Sequence, residues 1–187
     1  AHEVAHIDFE RVGEGVVLQK AVGYDRFVAF DGRNANFSGS EAFWKELSEG
    51  ALRTPEGRTI TPGMIRLMVN IDIIGATLSP VHSRWKDYVI VLGDRRHYEG
   101  LMLQNNIHSL GLRIDNDYYG SRDFTELFYR RIGDQRVFLN NGVPSIVLTS
   151  GITDNTNKVT DLPATLNYPV FARRVELLRR YLEAFNR

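Results

Sequence analysis

One apolar stretch in the middle of the chain constrains the fold more than any other segment. Residues 67–75 read Leu-Met-Val-Asn-Ile-Asp-Ile-Ile-Gly, so seven of the nine are apolar or glycine. An unbroken apolar run of this kind predicts a strand over residues 65–74 that is buried on both faces, as in the middle of an α/β sheet. Asp72 lies near the end of this run, where a buried carboxylate needs a partner and where α/β proteins bind their ligands. Asp72 is therefore the first candidate site residue.

The overall composition narrows the class of partner. The chain has 187 residues, which predicts one domain with a sizeable core. Basic and acidic residues number 23 each, so the net charge gives no support for nucleic acid or an anionic membrane as a partner. No cysteine is present, which excludes disulfides and thiolate metal sites. No apolar run is long enough to span a bilayer. The basic pairs, Arg173-Arg174 among them, are interpreted as solvated helix faces.

The remaining patterns alternate between strands and helices. The predicted elements are strands at 16–18 and 26–30, a helix at 41–49, a strand at 88–92, a helix at 95–110, a short helix at 134–141, a strand at 143–149 and a helix at 167–185. Residues 113–131 are aromatic-rich and predicted to be irregular. Alternation of this kind predicts a three-layer α/β sandwich with a mixed, mostly parallel central sheet.

The predicted final helix is amphipathic, and the predicted domain takes in the whole chain. Its inward residues are expected to be Val170, Phe171, Val175, Leu178, Tyr181 and Leu182. No repeat, low-complexity tract or internal boundary interrupts the sequence. One domain over residues 1–187 is therefore expected, with an atypical or shortened N-terminal part over about residues 1–23.

Four short motifs carry a resemblance to a known family. They are Phe27-Val-Ala-Phe-Asp-Gly32 with Gly39-Ser40 following, Val69-Asn-Ile-Asp-Ile-Ile-Gly75, the segment from Gly133-Asp-Gln135 to Gly142-Val-Pro144, and Lys158-Val-Thr-Asp161 with Leu166-Asn-Tyr168. In this order they resemble the M28 family of zinc aminopeptidases, which includes relatives of glutaminyl cyclase. The resemblance covers about residues 24–185 and implies a zinc-aminopeptidase-like fold.

The family's chemistry depends on two zinc ions and a general base. Histidine and carboxylate ligands hold the ions, one carboxylate bridges them, and a glutamate takes the proton from the attacking water. Two metal ions about 3.5–4 Å apart stabilise both oxygens of a tetrahedral intermediate. The base must lie within hydrogen-bond reach of the water that it deprotonates.

Several of the family's functional positions hold residues that are unsuited to this chemistry. The two glutamates after the first motif fall on Arg33 and Asn34, and neither residue supplies an anion or a base at neutral pH. The histidine of the family's Ser-Asp-His phrase falls on Gln135. The histidine of the last loop falls on Asn157. The resemblance therefore predicts no catalytic residue and a lost ligand at Asn157.

Two metal-ligand positions retain a suitable residue. Asp72 matches a family ligand, and His6 in His6-Ile-Asp8 loosely resembles the family's early His-x-Asp phrase. The helix and the bridging aspartate that follow that phrase in the family have no counterpart here. A catalytic zinc site normally has three protein ligands, so two are too few. Asp72 is expected to be hydrogen-bonded to backbone donors or to an arginine such as Arg33, and a pair with Arg33 would be an internal substitute for zinc.

The sequence therefore favours an M28 peptidase-like domain that has lost zinc-dependent hydrolysis. Asp134, Gln135 and Asn157 are its candidate cleft residues, the partner is a peptide or protein, and no cofactor is expected. A structural role and a homo-oligomer are open alternatives. The other hypothesis is an active zinc-dependent aminopeptidase whose missing ligands come from a partner chain or from a segment outside this sequence, with zinc as its cofactor. Family members are often exported, so the resemblance implies an extracytoplasmic (periplasmic or secreted) location.

Overall fold

The computed structural model describes residues 7–12, 15–20, 26–32, 35–54, 56–76 and 87–186. The chain divides into two compact units. The first draws on residues 1–66 and 136–143, and the second on residues 67–135 and 144–187. The single domain over residues 1–187 stays a prediction.

The first unit contains an antiparallel sheet of three strands. They are β1 (Ile7–Val12), β2 (Gly15–Lys20) and β3 (Arg26–Ala29), paired in that order. The sequence predicts the second and third strands. It gives no signal for β1, because half of the six residues in that strand are charged and no apolar alternation stands out.

An aromatic cluster joins two helices of the first unit. Helix α1 (Ser38–Ser48) buries Phe43 and Leu47, which confirms the helix that the sequence predicts at 41–49. Phe138 of helix α4 (Gln135–Asn140) packs edge-on against Trp44 at 5.6 Å between ring centroids. Phe30 packs edge-on against Phe43 at 5.5 Å. A short 3-10 helix follows at Pro62–Met64.

The second unit contains the mixed sheet that the sequence predicts. Its strands lie in the order β4 (Met68–Ile71), β7 (Ser145–Thr149), β5 (Tyr88–Leu92) and β6 (Arg113–Asp115). The β4–β7 and β5–β6 pairs are parallel, and the β5–β7 pair is antiparallel. The predicted α/β fold class with a mixed, mostly parallel sheet is confirmed.

Helices cover both faces of this sheet. Because side chains alternate across a strand, Val89 and Val91 of β5 face one side, and Tyr88, Ile90 and Leu92 face the other. The first side packs against α2 (Arg95–Ile107) and α5 (Tyr168–Phe185). The second side packs against Tyr118 and against α3 (Arg122–Arg130). The unit therefore has three layers.

The stretch around Asp72 is not the central strand that the sequence predicts. In the described part of the sheet, β4 lies at the edge, whereas β5 and β7 occupy the centre and are buried throughout. Ile71 is 46% exposed. The strand also has only four residues, because Ile73 takes a left-handed conformation with φ 54° and ends the pairing. An apolar run therefore predicted a strand here but gave its burial and length wrongly.

Two further predictions are wrong in detail. Residues 113–131 are not irregular, since they contain β6 and the amphipathic helix α3, whose first turn is capped by Ser121. In α5, Val175 is exposed and Leu177 is buried, so the buried face of the helix is rotated slightly from the predicted one. Arg174 lies on that buried face and has no exposed surface, so it does not belong to a solvated helix face.

A 3-10 helix at Pro163–Thr165 precedes α5. None of the helices in the described ranges has the length and apolar character that a membrane crossing requires.

A buried histidine links α2 to α5. His97 Nδ1 lies 2.5 Å from Tyr181 Oη, and the ring of Phe185 packs against the imidazole at 5.8 Å. Burial lowers the pKa of His97; Asp94 opposes this shift and Arg96 adds to it. The neutral imidazole is therefore the form that fits this interface.

This geometry makes the stability of the protein depend on pH. Because the pKa of His97 in the folded protein lies below its ordinary value of 6.5, its contribution is complete above that value and is lost as the pH falls through the folded pKa. We expect the free energy of unfolding, measured by urea titration, to fall between about pH 7.5 and about pH 5. His97→Gln should make this dependence shallower. His108→Gln, at the end of the same helix, is the control and should retain the full dependence; equal slopes for the two variants would contradict the assignment.

Candidate functional site

The chain turns sharply directly after Asp72. The Asp72 amide still donates to the Leu148 carbonyl of β7 at 3.0 Å, so the residue lies at the end of the parallel ladder. Ile73 follows with φ 54°, a conformation that is rare for a β-branched residue. Such a conformation costs about 1–3 kcal/mol and persists only where the surroundings impose it.

Hydrogen bonds from two other parts of the chain, the loop after β7 and helix α5 with its N-cap, impose this turn. The Ile73 carbonyl accepts from the Ser150 amide at 2.7 Å and from Ser150 Oγ at 2.8 Å. The Gly75 carbonyl accepts from the Asn167 amide at 3.0 Å. Arg174 Nη1 donates to the carbonyls on either side of Gly75, at 2.7 Å to Ile74 and 2.8 Å to Ala76. Four consecutive carbonyls are thus satisfied, and the position of Asp72 is fixed.

Tyrosines surround the same end of the sheet. Tyr118 Oη accepts from the Ile152 amide at 3.0 Å, just past the end of β7, and its ring stacks on Phe128 at 4.0 Å. Burial raises the pKa of Tyr118, and the negative charge of Asp72 adds to the shift. The Asp72 carboxylate therefore lies close enough to Tyr118 for the two groups to interact electrostatically.

A glycine leaves space for the side chain of the neighbouring tyrosine, Tyr119. Tyr119 has φ 60°, and its hydroxyl occupies the space that a Cβ atom at Gly151 would fill. Burial raises the pKa of Tyr119 well above its usual range. Both phenols are consequently neutral at physiological pH, and this end of the sheet combines neutral hydroxyls with one carboxylate.

Gln135 occupies the position that the family resemblance assigns to a histidine. Its side chain is fully buried, and its Oε1 accepts from Asn70 Nδ2 at 2.6 Å. Its Nε2 lies 2.8–3.0 Å from the carbonyl oxygens of Phe128, Tyr129 and Ile132. These carbonyls end helix α3, where no intrahelical donor remains. The Gln135 amide therefore caps α3 and ties it to β4.

A glycine makes room for this amide pair. A Cβ atom at Gly133 would collide with Gln135 Oε1 and would lie 3.0 Å from Asn70 Nδ2. Gly133 also has φ 114°, which side chains other than hydrogen rarely allow. The family phrase has serine at this position. Glycine at residue 133 and glutamine at residue 135 therefore depend on one another in this chain.

The other predicted site residues are dispersed. Asp134 is half-buried at the start of α4, and Asn157 is exposed in the loop after β7, with φ 62°. Asn70 lies on β4 and Asp72 directly follows that strand, so the structure brings Gln135 to the strand that leads to Asp72. His6, Arg33 and Asn34 lie outside the described residues, and the pairing of Arg33 with Asp72 stays a hypothesis.

The residues on this edge do not fit a two-zinc centre. Across the described ranges, no group of three or more histidine, aspartate and glutamate side chains is placed to hold a metal ion. Gln135 has its amide engaged by Asn70 and by three carbonyls, and neutral amides are poor ligands for zinc. Asp72 as a metal ligand stays a prediction.

Sequence reasoning missed two residues of the site. Arg174 was assigned to solvent with its neighbour, although it falls four residues after Val170 and four before Leu178, in the buried stripe of α5. That spacing is the signal for its burial. The left-handed conformation of Ile73 has no signal in the sequence, since isoleucine normally avoids it.

Comparison with known proteins supports the fold and no more than the fold. No family model matches the sequence, and no curated protein matches it. Among solved structures, the chain is similar to the LapA aminopeptidase of Legionella pneumophila, with a TM-score of 0.62 and 12% sequence identity. The chain has an aminopeptidase-like α/β fold. The match covers 86% of this chain and 39% of that one, so the chain spans well under half the length of LapA.

The buried amide of Gln135 gives the first test of this site. Gln135→Met should cost about 2–4 kcal/mol of unfolding free energy, because Asn70 and three carbonyls lose their partner. Gln135→Glu should cost more at neutral pH, because a buried carboxylate would face three carbonyl oxygens.

The difference between these variants should shrink as the pH falls and the introduced carboxyl group takes up a proton. Chemical denaturation at several pH values measures it. Gln104→Glu adds the same charge on α2, on the opposite face of the sheet, and should show no such excess cost. Equal stability of the methionine and glutamate variants at neutral pH would refute the capping role.

Proposed function

We propose that this chain is an M28-like peptidase domain that does not carry out zinc-dependent hydrolysis and that binds a peptide or protein segment at the ends of β4 and β7. One observation carries the first half of the proposal. Gln135, at the family's histidine position, has no exposed surface, and its amide forms four hydrogen bonds within the chain.

The surroundings of Gln135 support the same conclusion. A histidine at residue 135 would leave the last carbonyls of α3 without their amide donor, and a serine at residue 133 would collide with the amide present now. The phrase that would supply a zinc ligand therefore has a structural task in this chain. Asp72 remains as a carboxylate at the strand end, and this one ligand is too few for a hydrolytic zinc ion.

The second half of the proposal rests on position and chemistry. The carboxyl ends of parallel strands are the usual ligand-binding edge of an α/β sheet, and Asp72 and Ser150 directly follow the neighbouring parallel strands β4 and β7. Asp72 offers an acceptor for ammonium groups and amide N–H groups. The exposed Ile152, whose amide donates to the buried Tyr118, provides neighbouring apolar surface. The fixed turn after Asp72 lowers the entropy cost of binding.

An active zinc-dependent hydrolase is the second candidate. The chain spans 39% of the length of LapA, which leaves room for ligands from a partner chain or from a segment outside this sequence. In that case zinc would be the cofactor and Asp72 one of several ligands. Metal content and turnover separate the two candidates.

We expect the protein, purified without chelators, to bind zinc well below one equivalent and to leave aminoacyl-anilides intact. The physical reason is the donor set, which lacks the ligands that two zinc ions require. Elemental analysis and an absorbance assay with and without added zinc provide the measurements. Asp72→Asn is the matched variant and should not change either result. Stoichiometric zinc together with turnover that Asp72→Asn abolishes would overturn the proposal in favour of the hydrolase.

We also expect short peptides with a free amino terminus to bind, and to bind about tenfold more tightly than their N-acetylated forms, because a charge-assisted hydrogen bond to Asp72 is lost on acetylation. Isothermal titration with a set of such peptides in both forms measures this difference. Asp72→Asn should remove the preference, whereas Asp154→Asn, in the exposed loop, should retain it. Absence of binding to the wild-type protein would contradict the peptide-binding role.

A further inference from the structure

Arg174 is a buried cation that has no role so far in the peptide binding proposed for Asp72. It lies in the middle of α5 with no exposed surface. Its Nε donates to the Tyr88 carbonyl at 2.7 Å, and its guanidinium carbon lies 5.5 Å from the centre of the Tyr88 ring. Burial lowers the pKa of Arg174 to about 10, so the side chain is charged at neutral pH.

The partners of this cation are backbone carbonyls. Within the described residues, no carboxylate forms an ion pair with Arg174, and its Nη2 has no hydrogen-bond partner. A buried charge normally pairs with an opposite charge, because the cost of removing it from water is large. Here the carbonyl dipoles of Ile74, Ala76 and Tyr88 converge on the guanidinium instead.

Two of these three carbonyls belong to the turn that fixes Asp72. The other two carbonyls of residues 73–76, those of Ile73 and Gly75, accept from the amides of Ser150 and Asn167. Ser150 belongs to the loop after β7 and Asn167 to the start of α5, so the only side chain that reaches two carbonyls of residues 73–76 in the described structure is Arg174. The strained Ile73 lies directly between Asp72 and these contacts.

We propose that Arg174 is a positioning residue of the binding edge at Asp72. Its buried guanidinium binds the carbonyls of residues 74, 76 and 88 and thereby holds the turn that places Asp72. This inference rests on the proposed function, in which Asp72 is the binding group. Arg174 contacts the backbone of the turn and acts on a ligand only through Asp72.

The two amides that bracket the turn report on it without touching Arg174. The Asp72 amide bonds to the Leu148 carbonyl and the Ser150 amide bonds to the Ile73 carbonyl. Arg174→Ala should make both amides exchange with solvent at least about tenfold faster, because the carbonyls of the turn lose their donor. The amide of Val147, in the middle of β7, should keep its exchange rate.

Free guanidinium at low, non-denaturing concentration should restore slow exchange in Arg174→Ala, because it refills the space among the three carbonyls. Urea and ammonium at the same concentration should not, since neither offers a planar cation with several N–H donors. Arg173→Ala is the matched control. Arg173 is the adjacent residue and pairs with Asp87 at 2.7 Å on the surface, so its removal should leave the Asp72 and Ser150 amides unchanged.

Arg174→Lys keeps the charge and serves where the alanine variant fails to fold. It should give exchange rates between those of the wild type and Arg174→Ala, because an ammonium group reaches fewer of the carbonyls. Unchanged exchange at Asp72 and Ser150 in both variants would overturn the proposal. So would equal acceleration at Val147, which would mean that Arg174 stabilises the whole sheet and does not position the turn.

Peptide titration of the same variants separates this inference from the proposed function. If Arg174 positions Asp72, Arg174→Ala should lose the preference for free amino termini and guanidinium should restore it. If the wild-type protein binds no peptide while guanidinium still restores slow exchange, the positioning role holds and the proposed function fails.

Discussion

The hydrogen bonding of four carbonyls past the end of β4 is the interaction on which the site depends. A chain that leaves a sheet inside a protein must find donors for its backbone oxygens, or it loses free energy for each one. Here the donors come from the loop after β7, from the start of α5 and from Arg174 inside α5. Sheet edge, loop and helix are therefore joined at one turn, which directly follows the carboxylate of Asp72.

Neutral polar groups hold the same region together. Gln135 and Asn70 form an amide pair, and three carbonyls accept hydrogen bonds from the Gln135 amide. Tyr118 and Tyr119, whose pKa values are raised, lie at the same end of the sheet as Asp72. Arg174, the one fully buried arginine among the described residues, is stabilised by carbonyl dipoles. An arrangement of dipoles of this kind holds its geometry through contacts within the chain.

The sequence predicted the architecture better than it predicted the site. Alternating strand and helix patterns were enough for the three layers, because each pattern reports on local burial. The apolar run around Asp72 could not reveal that β4 lies at an edge, since edge position depends on strands far away in the sequence. Motif order placed Gln135 at a ligand position, but the carbonyls that engage it appear only in three dimensions. Arg174 was misassigned for a similar reason: arginine normally marks solvent, and its partners lie 86 to 100 residues away along the chain.

That separation has a consequence for how the protein assembles. A turn whose donors come from a helix about 100 residues downstream cannot settle when β4 first forms, because closing so long a loop is entropically slow. Ile73 alone would relax to an ordinary conformation in the meantime. The geometry around Asp72 is therefore complete only once α5 has docked on the sheet.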